Sequence, residues 1–279
     1  MTRLHQTSTI ITLLGAFLAF VFSINPSLAQ NDDPDLWSDL RDDAFGENRT
    51  VLEEDGTVVL EAPYRAEDAS IVPITIRIPA RIAPKVRTLT LFVEKNPMPM
   101  VAKLTYGKGA GLGERVLKTR IRINMYSNVR AVIELQDGTL HMATKFVKAS
   151  GGCSAAAMKD ADEALASLGK IKVRTFSTKQ KTSQSKPRTR EAQVMVRHPN
   201  YSGMQMNPLT GLYIPAKYIT EMVVSQGEAL IFKMEGGISL SEDPNFRFTY
   251  SATGTGPLHA TAKDSDGNIF KTQVKDAQI

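Results

Sequence analysis

The chain contains one cysteine, Cys153, in the run Lys148-Ala149-Ser150-Gly151-Gly152-Cys153-Ser154-Ala155. A thiolate forms and breaks disulfide-type bonds, so Cys153 is the side chain best suited to covalent exchange. It has no second cysteine to pair with inside the chain, which leaves intermolecular pairing or a thiol kept free for chemistry. Gly151 and Gly152 remove side-chain bulk and widen φ/ψ space, and this reads as a hinge that swings the thiol into another protein's pocket. A catalytic nucleophile needs a fixed position, so the pattern suits a carrier arm and no catalytic residue is assigned.

The remaining residue types add little chemistry. The histidines are His5, His141, His198 and His259, and with one cysteine they offer no metal-ligand spacing; no metal site and no cofactor are expected. His198, beside Pro199, reads as a structural hydrogen-bonding histidine. The pairs Met98-Pro99-Met100 and Met204-Gln205-Met206 carry thioethers that suit Cu(I), although methionine more often fills irregular gaps. Asp42-Asp43 and Glu53-Glu54 read as solvated surface. Phosphate-loop and dinucleotide fingerprints are absent from the sequence.

The elements that must position Cys153 are mostly strands. Asp35 to Phe45 has helical spacing and acids near its start, which predicts a short N-terminal helix. Period-two runs follow at 51–60, 71–78, 88–93, 101–106, 117–123, 129–135 and 139–146, broken by turn signals such as Asp55-Gly56 and Asp137-Gly138. After Cys153, Ala155 to Leu168 is rich in helix formers and ends at Gly169, with Ser154 as N-cap. A helix start there favours a thiolate or an attached anion.

Ser177 to Thr189 has no hydrophobic anchor and reads as a flexible linker. Further period-two runs occupy 192–196, 218–226, 228–234, 245–251, 258–264 and 269–272. The fold expected is mainly β: two immunoglobulin-like β-sandwich domains joined by a short helix and a basic flexible linker. The boundaries are 35–153 for the first sandwich with its Gly-Gly-Cys arm, 154–190 for helix and linker, and 191–279 for the second sandwich.

The formal charge is +5, but eight Lys and Arg with no acid stand between Lys170 and Arg190, leaving the rest slightly acidic. A nucleic-acid face is not expected. Arg3, the apolar run from Ile10 to Phe22 and Ser27-Leu28-Ala29 form a signal-peptide pattern over 1–29 with cleavage after Ala29. A periplasmic protein that is free of the membrane after signal removal is expected.

Val72-Pro73-Ile74, Leu91 to Pro97, Lys118-Thr119-Arg120-Ile121-Arg122, Asp137-Gly138 and Lys145 to Cys153 follow the order and rough spacing of the Y subunit of the SoxYZ sulfur carrier. Arg197-His198-Pro199, Gly203 and Ile214 to Ile219 look like the Z subunit. The chain thus resembles SoxY and SoxZ fused, similar to SoxYZ-like carriers associated with quinoprotein dehydrogenases. The resemblance implies that Cys153 is the attachment point for covalent sulfur cargo, with Gly151, Gly152 and Ser154 as its arm. Implied partners are periplasmic sulfur-oxidising enzymes, as in thiosulfate oxidation, or a quinoprotein dehydrogenase system. The chain departs from the family pattern after the cysteine, where Ser154-Ala155 and a following tether replace Gly-Gly and a free end, and this shortens the arm's reach. The alternative is a non-covalent partner or assembly factor of the dehydrogenase, with Cys153 incidental.

Overall fold

The computed structural model describes residues 36–156, 164, 166–176, 189–251 and 256–274. The signal-peptide segment 1–29, the centre of the helix expected after Cys153 and the 177–188 linker lie outside the described residues.

Fifteen strands among the described residues build two sheets, which confirms the mainly β class. The first half contributes β1 (Val51–Glu53), β2 (Val59–Glu61), β3 (Val72–Ile78), β4 (Val86–Val93), β5 (Met100–Tyr106), β6 (Arg115–Ile121), β7 (Ser127–Leu135) and β8 (Leu140–Val147). The second contributes β9 (Ile171–Phe176), β10 (Thr189–Val196), β11 (Ile219–Gln226), β12 (Ala229–Gly236), β13 (Asn245–Ser251), β14 (Leu258–Asp264) and β15 (Ile269–Val274).

Alternation does what the pattern predicts. In β3, Val72, Ile74, Ile76 and Ile78 are buried, with the residues between them more exposed. β4 is buried on both faces because helix α1 (Leu36–Phe45) covers its outer side. Leu89, Leu91 and Val93 enter the main core, while Phe92 meets Trp37 edge-on at 5.5 Å in a satellite cluster with Val132, Leu140 and Met142.

Three features depart from the expected layout. The 51–60 run is two strands: β1 pairs parallel with β8 in one sheet, and β2 pairs antiparallel with β3 in the other. Left-handed Glu54 (φ 48°) and Gly56 (φ 74°) turn the chain between them. Secondly, 171–176, assigned to the linker, is the edge strand β9 against β10. Its charged residues Lys172 and Arg174 point to an exposed edge, whereas Ile171 and Val173 pack against the core.

The third departure is global, because both sheets run through both halves. The larger has the order β1-β8-β7-β4-β5-β12-β11-β14-β15 and the smaller β2-β3-β6-β13-β10-β9. The junctions are β5 with β12, from Ala102 opposite Gly236 to Tyr106 opposite Phe232, and β6 with β13, at Lys118 opposite Arg247 and Leu117 opposite Phe248. One continuous core crosses them, with Phe232 and Phe248 edge-to-face at 5.0 Å. The two halves are joined edge to edge through these strand pairs.

Candidate functional site

The site is built outward from the end of β8. Lys148 follows that strand; its N–H donates to the Tyr64 carbonyl (2.7 Å) and its own carbonyl accepts from Ala66 N–H (3.2 Å). The chain then crosses onto the segment after β6, where Gly151 N–H donates to the Asn124 carbonyl (2.9 Å) and Gly152 N–H to the Ile123 carbonyl (3.0 Å). A turn closes from Gly151 to Ser154: both the backbone N–H and the hydroxyl of Ser154 donate to the Gly151 carbonyl, each at 3.2 Å. Cys153 sits at the top of this turn and is fully buried.

The glycines, expected as a hinge, also have a packing role in this turn. Gly151 has φ 77°, a left-handed conformation that favours glycine. At Gly152 a Cβ would lie 2.1 Å from the Ala69 carbonyl oxygen and 2.7 Å from that of Ile123. Only a residue without a side chain lets the turn press so closely on two backbone carbonyls. Glycine here permits close backbone approach.

The seat beneath the turn comes from the first half. Arg122, 2% exposed, donates from Nη1 to the Gly152 carbonyl (3.1 Å). Buried Asn96 holds that segment in place: its amide nitrogen donates to the Arg122 carbonyl (2.7 Å) and to Ser239 Oγ (3.0 Å), and its oxygen accepts from Asn124 N–H (2.8 Å). Arg122 N–H donates in turn to the Ser239 carbonyl (2.8 Å). Ser239 belongs to the second half, so the seat is braced from across the junction.

A clasp from the second half closes over the turn. Between β10 and β11 the chain makes an excursion over residues 197–218, bridged at Tyr201 with Lys217 and at Met206 with Tyr213. The Ser202 hydroxyl donates to the Cys153 carbonyl, and Gln205 donates to the Ala155 carbonyl (3.1 Å). Ser202 N–H donates to Gln205 Oε1 (3.0 Å), which links the two clasp residues. The tip presents Met206, Leu209, Leu212 and Tyr213 to solvent.

His198 braces the base of the excursion. It is buried, accepts at Nδ1 from Asn200 N–H (3.0 Å) and faces Asp264 at 3.6 Å through Nε2. Burial pushes its pKa down to about 4 against the pull of Asp264. Neutral, with the proton on Nε2, it fits the structural role read from sequence. Met98 packs its sulfur against Gly237, where an added Cβ would lie 2.2 Å away, so this methionine fills a gap.

Electrostatics at Cys153 run against the thiolate expected from a helix start. Burial pushes the thiol up to about 11, with Arg122 pulling the other way. Ser154 bonds back into the turn, and the described residues 154–156 are not helical. The thiol is therefore buried in the turn, and burial favours its protonated form. The turn contains Cys153, Gly151, Gly152 and Ser154, the residues singled out from sequence, and it is held by Arg122, Asn96, Ser202 and Gln205, which were not singled out as site residues. Arg122 and Asn96 were on view only as members of the resembling motifs Lys118 to Arg122 and Leu91 to Pro97.

Residues 41–153 match the family model of the sulfur oxidation protein SoxY, and residues 178–275 match that of the sulphur oxidation protein SoxZ. Among solved structures, the sulfur carrier protein SoxY from Chlorobium limicola f thiosulfatophilum is 25% identical, covering 40% of this chain and 90% of its own, with a TM-score of 0.31. A superoxide reductase (neelaredoxin) from Ignicoccus hospitalis is 15% identical, covering 35% of this chain and 93% of its own, with a TM-score of 0.27. No curated protein matches. The family models together span both halves, and the first ends at Cys153 itself.

Proposed function

Because the chain belongs to the SoxY and SoxZ families, joined in one polypeptide, we propose that it is a periplasmic covalent sulfur carrier with Cys153 as the attachment point. The observation that carries this reading is the place of the only cysteine: it closes the SoxY domain and lies in a turn clasped by the SoxZ domain. The cargo is a sulfur-oxidation intermediate held as a disulfide-type adduct, loaded and removed by separate periplasmic sulfur-oxidising enzymes. The chain itself does not turn over substrate.

Exchange at Cys153 needs both thiolate and access, and the docked arm withholds both. The carrier therefore works through release: a partner parts the Ser202 and Gln205 contacts, the turn lifts off Arg122, and the exposed thiol ionises more readily in water. Gly151 and Gly152 then act as the flexible links of the lifted arm. The exposed apolar tip of the excursion is next in the chain to the clasp residues, so an enzyme that covers the tip is placed to open the clasp. Export by the 1–29 segment puts the chain in the periplasm, and among the described residues no helix is long and apolar enough to cross a membrane.

The complete burial of Cys153 favours a second reading, in which the chain is a non-covalent partner or assembly factor of a quinoprotein dehydrogenase and the cysteine is a core residue. Cys153→Ser in cells separates the two. A carrier loses sulfur oxidation altogether, whereas a variant with full function would leave only the non-covalent reading standing.

A further inference from the structure

Arg122 is a buried cation whose capacity is not used up in the docked arm. Its Nη1 holds the Gly152 carbonyl, while Nε is buried without a hydrogen-bond partner among the described residues. It takes part in none of the ion pairs among the described residues. A guanidinium keeps its charge even in the interior, and a buried charge without a close counterion is costly. Burial disfavours its charge, and the acidic groups placed to offset that are Cys153, Glu242 and Asp68. The Gly152 carbonyl that it already holds stands one residue before the Cys153 thiol.

Resting on the carrier reading, we propose that Arg122 is the anion-holding residue of the loaded arm: it recognises the negative charge of an anionic sulfur adduct on Cys153 and keeps that adduct docked. A docked thiol needs no such group. A cargo that ends in a sulfonate or a persulfide anion does, because burying it unpaired would cost far more than one charge-assisted hydrogen bond returns. The seat therefore selects for anionic over neutral adducts.

The test loads the full chain in two ways. With tetrathionate, the Cys153 thiol loses its proton to solvent and attacks a central sulfur. The Cys153 Sγ–S bond forms, the central S–S bond breaks, and thiosulfate leaves with the bonding pair. Cys153 sulfur is oxidised to the disulfide level and carries an S-thiosulfonate with one negative charge. With methyl methanethiosulfonate the same attack releases methanesulfinate and leaves a neutral S-methylthio group. Intact mass verifies each adduct, and hydrogen exchange of the segment 149–156 reports docking.

In Arg122→Gln the segment exchanges faster with either adduct, because the bond to the Gly152 carbonyl is lost, and about tenfold faster again with the anionic one, the loss expected for one further buried charge-assisted bond. Arg122→Lys retains most of the protection because it keeps the charge. Equal acceleration for both adducts, or none for either, overturns the proposal and leaves the carrier reading intact. Where the glutamine variant does not fold, the comparison is made on the native chain, in which the anionic adduct exchanges more slowly than the neutral one; equal rates for the two have the same overturning force. Failure of the native chain to accept the anionic adduct, when it accepts the neutral one, removes the proposal and the carrier reading together.

Discussion

At the scale of single residues the fold sets the reactivity of Cys153 by burial. The docked thiol ionises near pH 11, against 9.0 for a free thiol, so ionisation is disfavoured in the docked state. The sign follows: docking is strongest below about pH 9 and weakens as pH rises toward 11, where the docked form must ionise as well. Alkylation of Cys153 is accordingly slow at pH 8 and accelerates most above pH 9, and a profile that levels off near pH 9 would show an exposed thiol. Gly152→Ala cannot be accommodated against the Ala69 and Ile123 carbonyls. It costs the docked arm about 1–3 kcal/mol and speeds alkylation at neutral pH, with the rest of the fold retained. His198 has the opposite linkage. Its pKa is lowered from 6.5 to about 4, so the stability it contributes is present above pH 6.5 and is lost as pH falls through 4. Thermal unfolding of His198→Gln should show a flatter pH dependence over that window than the native chain.

At the scale of elements, two segments distant in sequence hold one turn. The seat, from Ala69, Arg122 and Ile123, fixes the turn from below, and the 197–218 excursion fixes it from the side through Ser202 and Gln205. Removing Ser202 Oγ takes away one hydrogen bond to the Cys153 carbonyl, about 1 kcal/mol, so Ser202→Ala raises the alkylation rate of Cys153 roughly fivefold. The double variant with Gln205→Ala opens the arm further, and no change in rate would show that the clasp does not limit access. These contacts mark where the sequence stops being legible. Strand periodicity located β3, β4 and β7 because alternation is local. The Gly-Gly pair is compatible both with a hinge and with close backbone approach, and the close approach is visible only once the carbonyls of Ala69 and Ile123, distant in the chain, are in place. Ser202 and Gln205 carry no motif of catalytic type, and their roles exist only in the folded chain. β9 was hidden for another reason: its lysine and arginine, proper to an exposed edge, merge with the basic segment that follows.

At the scale of the whole molecule, the two family halves form a single folded body because β5 pairs with β12 and β6 with β13. Nothing local announces those pairings; each strand reads as an ordinary member of its own sandwich, and the register between strands over a hundred residues apart is a tertiary property. The shared core predicts one cooperative transition. Phe248→Ala, at the aromatic junction with Phe232, lowers stability by about 3–5 kcal/mol and destabilises both halves together, so separate transitions in calorimetry would argue against a shared core. Such a frame suits a carrier: the second half holds the arm of the first, and a rigid junction keeps clasp and seat in register. The central claim is that the arm delivers a sulfur cargo on Cys153. Intact-protein mass spectrometry of the chain taken from the periplasm during sulfur oxidation tests it most directly. The account predicts sulfur-sized mass increments on Cys153 that a thiol reductant removes; a single unmodified mass under those conditions would contradict it.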